Sequence, residues 1–302
     1  MVETIEDFSA ATEYERLVLN QLFPLFPDDA MGNTLDLREA IQGTGPAKHG
    51  MTAVIKMFAD DRNLQGVLAP LAFSAAWKVI DLLIELALAQ GGFQPGGQAG
   101  RWSISRKVQL AGQAPGDQLL GVDMEVWQAI CFAYARTEEH RHCLIHRRAS
   151  FTERPLRLAG KKQDGEPLLP LDEKELRAFV NIAQLLGTVV GEAPMPERTV
   201  GQLRFLLQQM SRHIGCEFAQ SLPLGPVVSV FMCLQPDEGK GWLADFAYVH
   251  QKMDRSMPHY LADVWIDIPN ESGYRLFGHL EQLPKDKIAI RLDALPDYLS
   301  LC

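Results

Sequence analysis

The chain has 302 residues, of which 47% are hydrophobic and 22% are charged, and its formal net charge is -9. These values are typical of globular proteins and argue against a disordered or fibrous chain. The acidic balance also excludes a protein covered with basic nucleic-acid-binding surface, but it is compatible with one local basic segment.

The cysteines and the apolar segments indicate the compartment. The five cysteines form no CxxC pair, and their odd number does not indicate a disulfide framework. Residues 1–17 are acidic and lack the regions of a signal peptide. The most apolar stretch, residues 67–89, is interrupted at helical spacing by Lys78, Asp81 and Glu85, which favours a buried helix over a membrane span. The sequence therefore predicts a cytoplasmic protein without a membrane segment.

The first hundred residues are predicted to be mainly helical. Residues 25–50 are rich in turn formers and predict a loop around a short helix. The glycine-rich residues 90–100 lack the GK[ST] ending of a phosphate loop and any dinucleotide fingerprint. Apolar residues recur at helical spacing in three stretches, residues 10–24, 51–61 and 71–89.

The middle of the chain predicts two long amphipathic helices joined by a loop or hairpin. The first begins at Asp123 as its N-cap and continues through residue 148. Residues 152–171 hold three prolines and two glycines and form the connection. The second helix is capped by Asp172 and ends near Gly191. The apolar face of the first helix comprises Val126, Trp127, Ile130, Cys131 and Tyr134.

Beyond residue 199 one more helix is followed by β-type runs at hairpin-like spacing. The runs are residues 226–234, 242–251, 260–268, 274–283 and 286–295. The sequence therefore predicts an α+β fold, in which an N-terminal and central helical bundle precedes a domain with an antiparallel sheet. The predicted domains are residues 1–69, a helical segment; 70–192, a helical domain; and 193–302, the α+β domain with the antiparallel sheet.

Residues 138–148, EEHRHCLIHRR, hold three of the eight histidines of the chain. At 3.6 residues per turn, the apolar stripe through Tyr134 continues to Glu138, Arg141 and His142 and returns to Ile145. Burying unpaired charge is costly, so either the helix leaves the core here or these groups line a cleft or an interface. Between residues 136 and 162, eight Lys or Arg accompany three acidic residues, which makes this segment basic.

Two interpretations need no catalysis by the cluster. His142 and His146 are four residues apart, a workable pair of zinc ligands, and His140 or Cys143 would add a third, but nearby arginines would repel the cation. Alternatively, the segment is a solvated helix end whose basic side chains interact with the helix dipole.

A third interpretation is catalytic. Arg141 and His146, separated by four residues in RHCLIH, resemble the R-x4-H motif of the HEPN superfamily, and the resemblance covers roughly residues 70–192. It implies a helical bundle that commonly dimerises and acts as a metal-independent endoribonuclease, without a cofactor. Arg141 and His146 would be the catalytic pair. His142 would be the polar residue after the arginine, where the family more often has asparagine.

The chemistry of RNA cleavage suits these residue types. Histidine transfers protons near neutral pH, and arginine binds phosphate and stabilises negative charge in the transition state. In this hypothesis His146 transfers protons, Arg141 clamps the scissile phosphate and Glu138 orients Arg141. Positions five apart on a helix diverge by about 140°, so a homodimer that combines two copies is part of the hypothesis. The flanking phosphates would be bound by Arg136, Arg147, Arg148, Arg154, Lys161 and Lys162.

The resemblance also implies RNA as the partner, and a toxin or antiviral defence system with a regulatory or antitoxin protein. The alternative is a non-catalytic module that binds RNA or protein through the basic segment 136–162. A third possibility makes the sheet domain the active part, although its candidate residues have no ligand-like spacing. These candidates are His250, His259, His279, Asp245, Asp263 and Asp267.

Overall fold

The structure, a computed structural model, divides into two compact units. The helical unit lies within residues 1–28 and 58–220, and the sheet unit lies within residues 29–57 and 221–302. The residues that the structure describes are 2–22, 33–51, 62–96, 100–146, 149–153, 156–162, 164–191, 194–215, 227–237, 241–256, 261–269 and 274–302.

The described helices are, in chain order, α1 (Ile5–Leu22), α2 (Arg38–Gln42), α3 (Arg62–Gln90), α4 (Ile104–Leu110), α5 (Gly116–Leu120), α6 (Met124–Ile145), α7 (Glu173–Val189), α8 (Glu197–Gln209), α9 (Ser211–Ile214) and α10 (Phe246–Ser256). The described strands are β1 (Asn33–Asp36), β2 (Lys48–Met51), β3 (Ala149–Glu153), β4 (Leu156–Gly160), β5 (Leu171–Asp172), β6 (Val227–Cys233), β7 (Gln235–Asp237), β8 (Gly241–Asp245), β9 (Leu261–Asp267), β10 (Arg275–His279), β11 (Lys287–Ile290) and β12 (Ser300–Leu301). These helices and sheets confirm the predicted α+β class.

The helical unit is built around α3, which contributes most of its apolar side chains between Ala69 and Leu88 to the core. Phe73 of α3 packs against Phe179 of α7, with ring centroids 5.2 Å apart. Trp127 of α6 is fully buried and its indole N–H donates to the carbonyl of Ala111 at 3.1 Å. Within the described residues no helix is both long enough and apolar enough to cross a membrane.

The predicted connection before α7 is a hairpin, and the predicted cap of α7 is confirmed. Strands β3, β4 and β5 form a small antiparallel sheet in the helical unit. The Asp172 carboxylate accepts the Glu175 amide at 3.0 Å, and the Glu175 carboxylate accepts the Asp172 amide at 2.9 Å. This reciprocal capping box fixes the first turn of α7.

The sheet unit contains a six-stranded sheet in the order β12-β10-β9-β6-β1-β2. The prediction of an antiparallel sheet is wrong in its centre, because β6 pairs in parallel with both β1 and β9. Parallel neighbours need a long crossover, and α10 lies in the one between β6 and β9. Residues 242–251 were predicted as a single strand, but β8 ends at Asp245 and α10 begins. Phe246, Val249 and Met253 are buried at helical spacing, which explains the helix.

The N-terminal domain boundary predicted at residue 69 does not match the two units. Strands β1 and β2 lie in the predicted segment 1–69 but join the six-stranded sheet, where Leu35 is fully buried. The short helix predicted there is present as α2. Residues 52–61 of the second predicted helical stretch lie outside the described residues. The sheet unit therefore combines two distant parts of the chain, which local sequence patterns do not reveal.

An ion cluster around the buried Glu175 carboxylate fastens α9 to the start of α7. Arg212 donates from Nε to Glu175 at 2.8 Å, and His213 Nε2 lies 3.3 Å from the same carboxylate. Burial alone would raise the pKa of Glu175, but the nearby His213 ring and the hydrogen bonds from Arg212 and the Asp172 amide outweigh it and lower the pKa to about 2. The ionised carboxylate therefore stabilises the folded state.

This cluster makes the stability of the helical unit sensitive to acid. Because the pKa of Glu175 is lowered on folding, its contribution is complete above about pH 4.5 and is lost as the pH falls toward 2. We expect Glu175→Gln to lower the free energy of unfolding by roughly 3 kcal/mol at pH 7, and by much less near pH 3. Urea unfolding of the wild type and of Glu175→Gln between pH 3 and pH 7 measures the difference in free energy of unfolding. A difference that does not change with pH would contradict a lowered pKa of Glu175.

Candidate functional site

The face of α6 that enters the core differs from the predicted one. The buried stripe continues from Tyr134 to Thr137, His140 and Cys143, whereas Glu138 and Arg141 are half-buried and His142 is exposed. The predicted return to Ile145 is also wrong, since this side chain is exposed. Thr137, His140 and Cys143 can be buried because each is bonded to a backbone carbonyl, of Ala133, Leu169 and Lys161 respectively.

Arg141 lies at the edge of this core, against an aromatic pair. Its guanidinium carbon is 4.7 Å from the centroid of the Trp77 ring, and Trp77 stacks on Tyr134 with centroids 4.9 Å apart. A cation over an indole face is attracted by the ring quadrupole. Helix α3 therefore supplies the surface that holds the predicted phosphate clamp of α6.

Tyr134 connects this aromatic pair to a buried ion cluster. Its hydroxyl donates to Asp81 at 2.5 Å, and Lys107 donates to Asp81 at 2.8 Å and to Glu85 at 3.0 Å. Burial, together with the charge of Asp81, raises the pKa of Tyr134 far above its ordinary value, so the phenol stays protonated and donates. In the sequence this cluster is signalled by Asp81 and Glu85, two carboxylates four residues apart in the most apolar stretch. Nothing in the sequence around Lys107 indicates that it pairs with them.

Glu138 does not make the contact predicted for it. Among the described residues no hydrogen bond or ion pair joins Glu138 to Arg141. Burial and then the neighbouring Glu139 raise the pKa of Glu138, and the attraction of Arg141 only partly offsets this. Arg141 is oriented in the structure by Trp77 rather than by Glu138.

The structure brings His142 and His146 together at the end of α6. Their ring centroids are 4.3 Å apart, and both side chains are exposed. The His146 amide donates to the His142 carbonyl at 3.1 Å, so the last turn of the helix fixes their spacing. Arg141 contacts Trp77 instead of this pair, and the two catalytic residues implied by the motif are not joined within the described part of one chain.

His140 belongs to the interior. A carbonyl can only accept a hydrogen bond, so the ring donates from Nε2 to Leu169 at 2.9 Å. Burial lowers the pKa of His140, and its ring meets His213 edge-on at 5.8 Å. His140 and Cys143 therefore do not join the exposed His142–His146 pair as ligands. Throughout the described ranges no three His, Cys, Asp or Glu side chains are grouped to hold a metal ion.

Part of the predicted RNA-binding set lies near this helix end in the sequence and is exposed. Arg136, Lys161 and Lys162 are accessible, and Lys162 pairs with Glu166 at 3.4 Å. Such an exposed pair costs little to exchange for a phosphate. Arg147, Arg148 and Arg154 lie outside the described residues.

The candidates in the sheet unit are dispersed. His250 donates to the Leu283 carbonyl at 3.2 Å, and Asp245 pairs with Lys287 at 2.7 Å. His279 contacts Asp263 at 3.1 Å. Asp267 pairs with Arg38 and Arg275, and His259 lies outside the described residues. Within the described chain these groups do not form one catalytic cluster.

The buried ion cluster beneath Arg141 yields a stability prediction. Lys107 is only 4% exposed, so Lys107→Met leaves Asp81 and Glu85 buried without their cation. We expect a loss of about 3–5 kcal/mol in the free energy of unfolding. Lys162→Met, which breaks the exposed pair with Glu166, should cost less than about 1 kcal/mol. Urea denaturation measures the free energy of unfolding of both variants. Equal losses would show that the buried Lys107 cluster contributes no more to stability than the exposed pair of Lys162.

Comparison with known proteins identifies no relative: no protein-family model, curated protein or solved structure matches this chain.

Proposed function

We propose that the protein is a metal-independent endoribonuclease of HEPN type, with its active site at the C-terminal end of α6. The observation that carries the proposal is the contact between two exposed imidazoles, His142 and His146, whose ring centroids are 4.3 Å apart. Arg141 lies next to this pair in the sequence and holds its guanidinium at the edge of the core. Two proton-transfer groups and a fixed cation are what RNA cleavage without a metal needs.

The proposed reaction is attack of the ribose 2'-oxygen on the adjacent phosphorus. His146 removes the 2'-OH proton, the new P–O2' bond forms, and the P–O5' bond breaks. His142 gives a proton to the leaving 5'-oxygen, which leaves a 2',3'-cyclic phosphate on one product. Histidine suits both roles because its two protonation states are both populated near neutral pH.

Arg141 stabilises the negative charge that develops on the phosphoryl oxygens. Its stacking on Trp77 restricts the guanidinium, so less conformational entropy is lost when phosphate binds. Because Arg141 and His146 are directed differently on one helix, the proposal includes a homodimer in which Arg141 of one copy serves the histidine pair of the other.

The cleavage test uses the intact protein with a mixed single-stranded RNA pool in EDTA. We expect the wild type to leave 2',3'-cyclic phosphate ends with a bell-shaped dependence of kcat on pH. His146→Ala, His142→Ala and Arg141→Ala should each lose about 10²- to 10⁴-fold in kcat. His49→Ala removes an exposed histidine of the sheet unit and serves as the control that keeps full activity. Cleavage that survives in His146→Ala would refute the proposed site.

Mixing two inactive variants tests the shared site. If Arg141 acts on the partner copy, each mixed dimer of Arg141→Ala and His146→Ala has one intact site, so free exchange restores about a quarter of wild-type activity. Light scattering measures the mass of each protein in the same buffer. A monomer, or a mixture as inactive as its components, would contradict the dimeric site.

A further inference from the structure

The two faces of the six-stranded sheet have different chemistry. The core face carries aliphatic side chains, such as Val230 of β6 and Val264 of β9, and is packed under α10. On the other face, three neighbouring cross-strand rows hold aromatic, polar and charged side chains together with the buried Cys233, and the next described row, Val227 and Leu261, is aliphatic. We call these three rows the aromatic face; they comprise Thr34, Asp36, Ser229, Phe231, Cys233, Asp263, Trp265, Asp267, Arg275, Phe277 and His279.

The middle row places three aromatic rings side by side. Phe231 of β6 pairs with Trp265 of β9, which pairs with Phe277 of β10. The Trp265 and Phe277 centroids are 4.8 Å apart, and His279 meets Phe277 edge-on at 5.0 Å. All three rings of the row remain partly exposed. Neighbouring strands lie about 5 Å apart, so the row offers a platform of several rings in one surface.

Two arginines border this row and remain accessible. The guanidinium carbons of Arg38 and Arg275 lie 5.6 and 5.8 Å from the Phe231 centroid. Arg38 bridges Asp36 at 2.6 Å and Asp267 at 2.8 Å, and Arg275 contacts Asp267 at 2.7 Å. The two arginine side chains are still 37% and 45% exposed. Both arginines are paired with carboxylates, so the face carries no strong positive field.

We infer that the aromatic face binds single-stranded RNA, whose bases stack on Trp265 and Phe277. Every base has a π-face, and aromatic side chains on an open sheet are a general means of holding unpaired bases. The guanidinium groups of Arg38 and Arg275 are complementary to phosphate or to base carbonyls, and the carboxylate of Asp263 is complementary to base amino groups. The choice of RNA as the ligand rests on the proposed function.

The composition of the face favours RNA over a protein partner. A protein surface packed on this sheet would remove water from the Asp36, Arg38 and Asp267 charges, and the desolvation of ion pairs is costly even when they stay paired. A docked helix would need aliphatic side chains for packing, and the three rows of the aromatic face offer none; the described row beside them holds Val227 and the buried Leu261. A single nucleic-acid strand can stack its bases on the rings and leave the charged residues at the edge of the face hydrated.

The binding test uses intact protein and a fluorescently labelled 2'-O-methyl oligonucleotide of about eight nucleotides in EDTA. This strand lacks a free 2'-OH, so it cannot be cleaved by the proposed reaction. Fluorescence anisotropy gives the affinity. We expect Trp265→Leu and Phe277→Leu each to weaken binding about tenfold, and Trp265→Phe to weaken it less because a ring remains. Thermal unfolding of each variant confirms that the sheet is intact.

Tyr274→Leu is the matched control, because Tyr274 is an exposed aromatic residue next to β10 but outside the row. It should change the affinity by less than about twofold. The loss in Trp265→Leu should persist at higher salt, since stacking does not depend on counterion release.

Three outcomes would overturn the inference: no binding by the wild type, equal binding by Trp265→Leu, or self-association of the wild type that Trp265→Leu abolishes. The last would assign the face to a second copy of the chain. Binding without cleavage of ordinary RNA would refute the proposed nuclease and leave the aromatic face supported. If the wild type cleaves ordinary RNA and Trp265→Leu binds the oligonucleotide as tightly as the wild type, the nuclease proposal is supported and the aromatic face is refuted as the binding site.

Discussion

The arrangement of the helical unit depends on one buried cation. The Lys107 ammonium donates hydrogen bonds to Asp81 and Glu85, and the Tyr134 hydroxyl donates a further hydrogen bond to Asp81. Charges buried in an apolar interior are tolerated only in close mutual contact, so this cluster fixes α3, α4 and α6 relative to one another. Tyr134 then places Trp77, and Trp77 holds Arg141 at the surface. The position of the candidate phosphate clamp therefore follows from the position of the buried lysine.

Helix α6 separates two kinds of histidine by burial. His140 is inside, where burial lowers its pKa and the Leu169 carbonyl accepts from its ring, so it acts as a neutral structural group. His142 and His146 are exposed and in contact with each other. The same residue type thus occupies two environments within two turns of one helix, decided by which side of the helix faces the core.

In the sheet unit, the two faces of the six-stranded sheet also carry different types of side chain. Alternation along β6, β9 and β10 places aliphatic side chains on the core face, whereas the opposite face holds aromatic, polar and charged side chains next to a row of Val227 and Leu261. If the helix end cleaves RNA and the aromatic face binds it, the protein would combine a catalytic unit with a unit that selects unpaired strands. The acidic net charge of the chain is compatible with RNA binding by stacking, because stacking of bases on aromatic rings does not require a basic surface.

The sequence by itself determined the local features, because these depend on neighbouring residues. It determined the α+β class, the N-cap at Asp172 and the helical spacing that brings His142 next to His146. It did not determine which face of α6 enters the core, because the choice of His140 over His142 depends on the Leu169 carbonyl, distant along the chain. Nor did it reveal the ion pairs of Lys107 or the parallel pairing of β1 with β6, since these join residues far apart in sequence. Such contacts leave no periodic signal, and only the tertiary structure decided them.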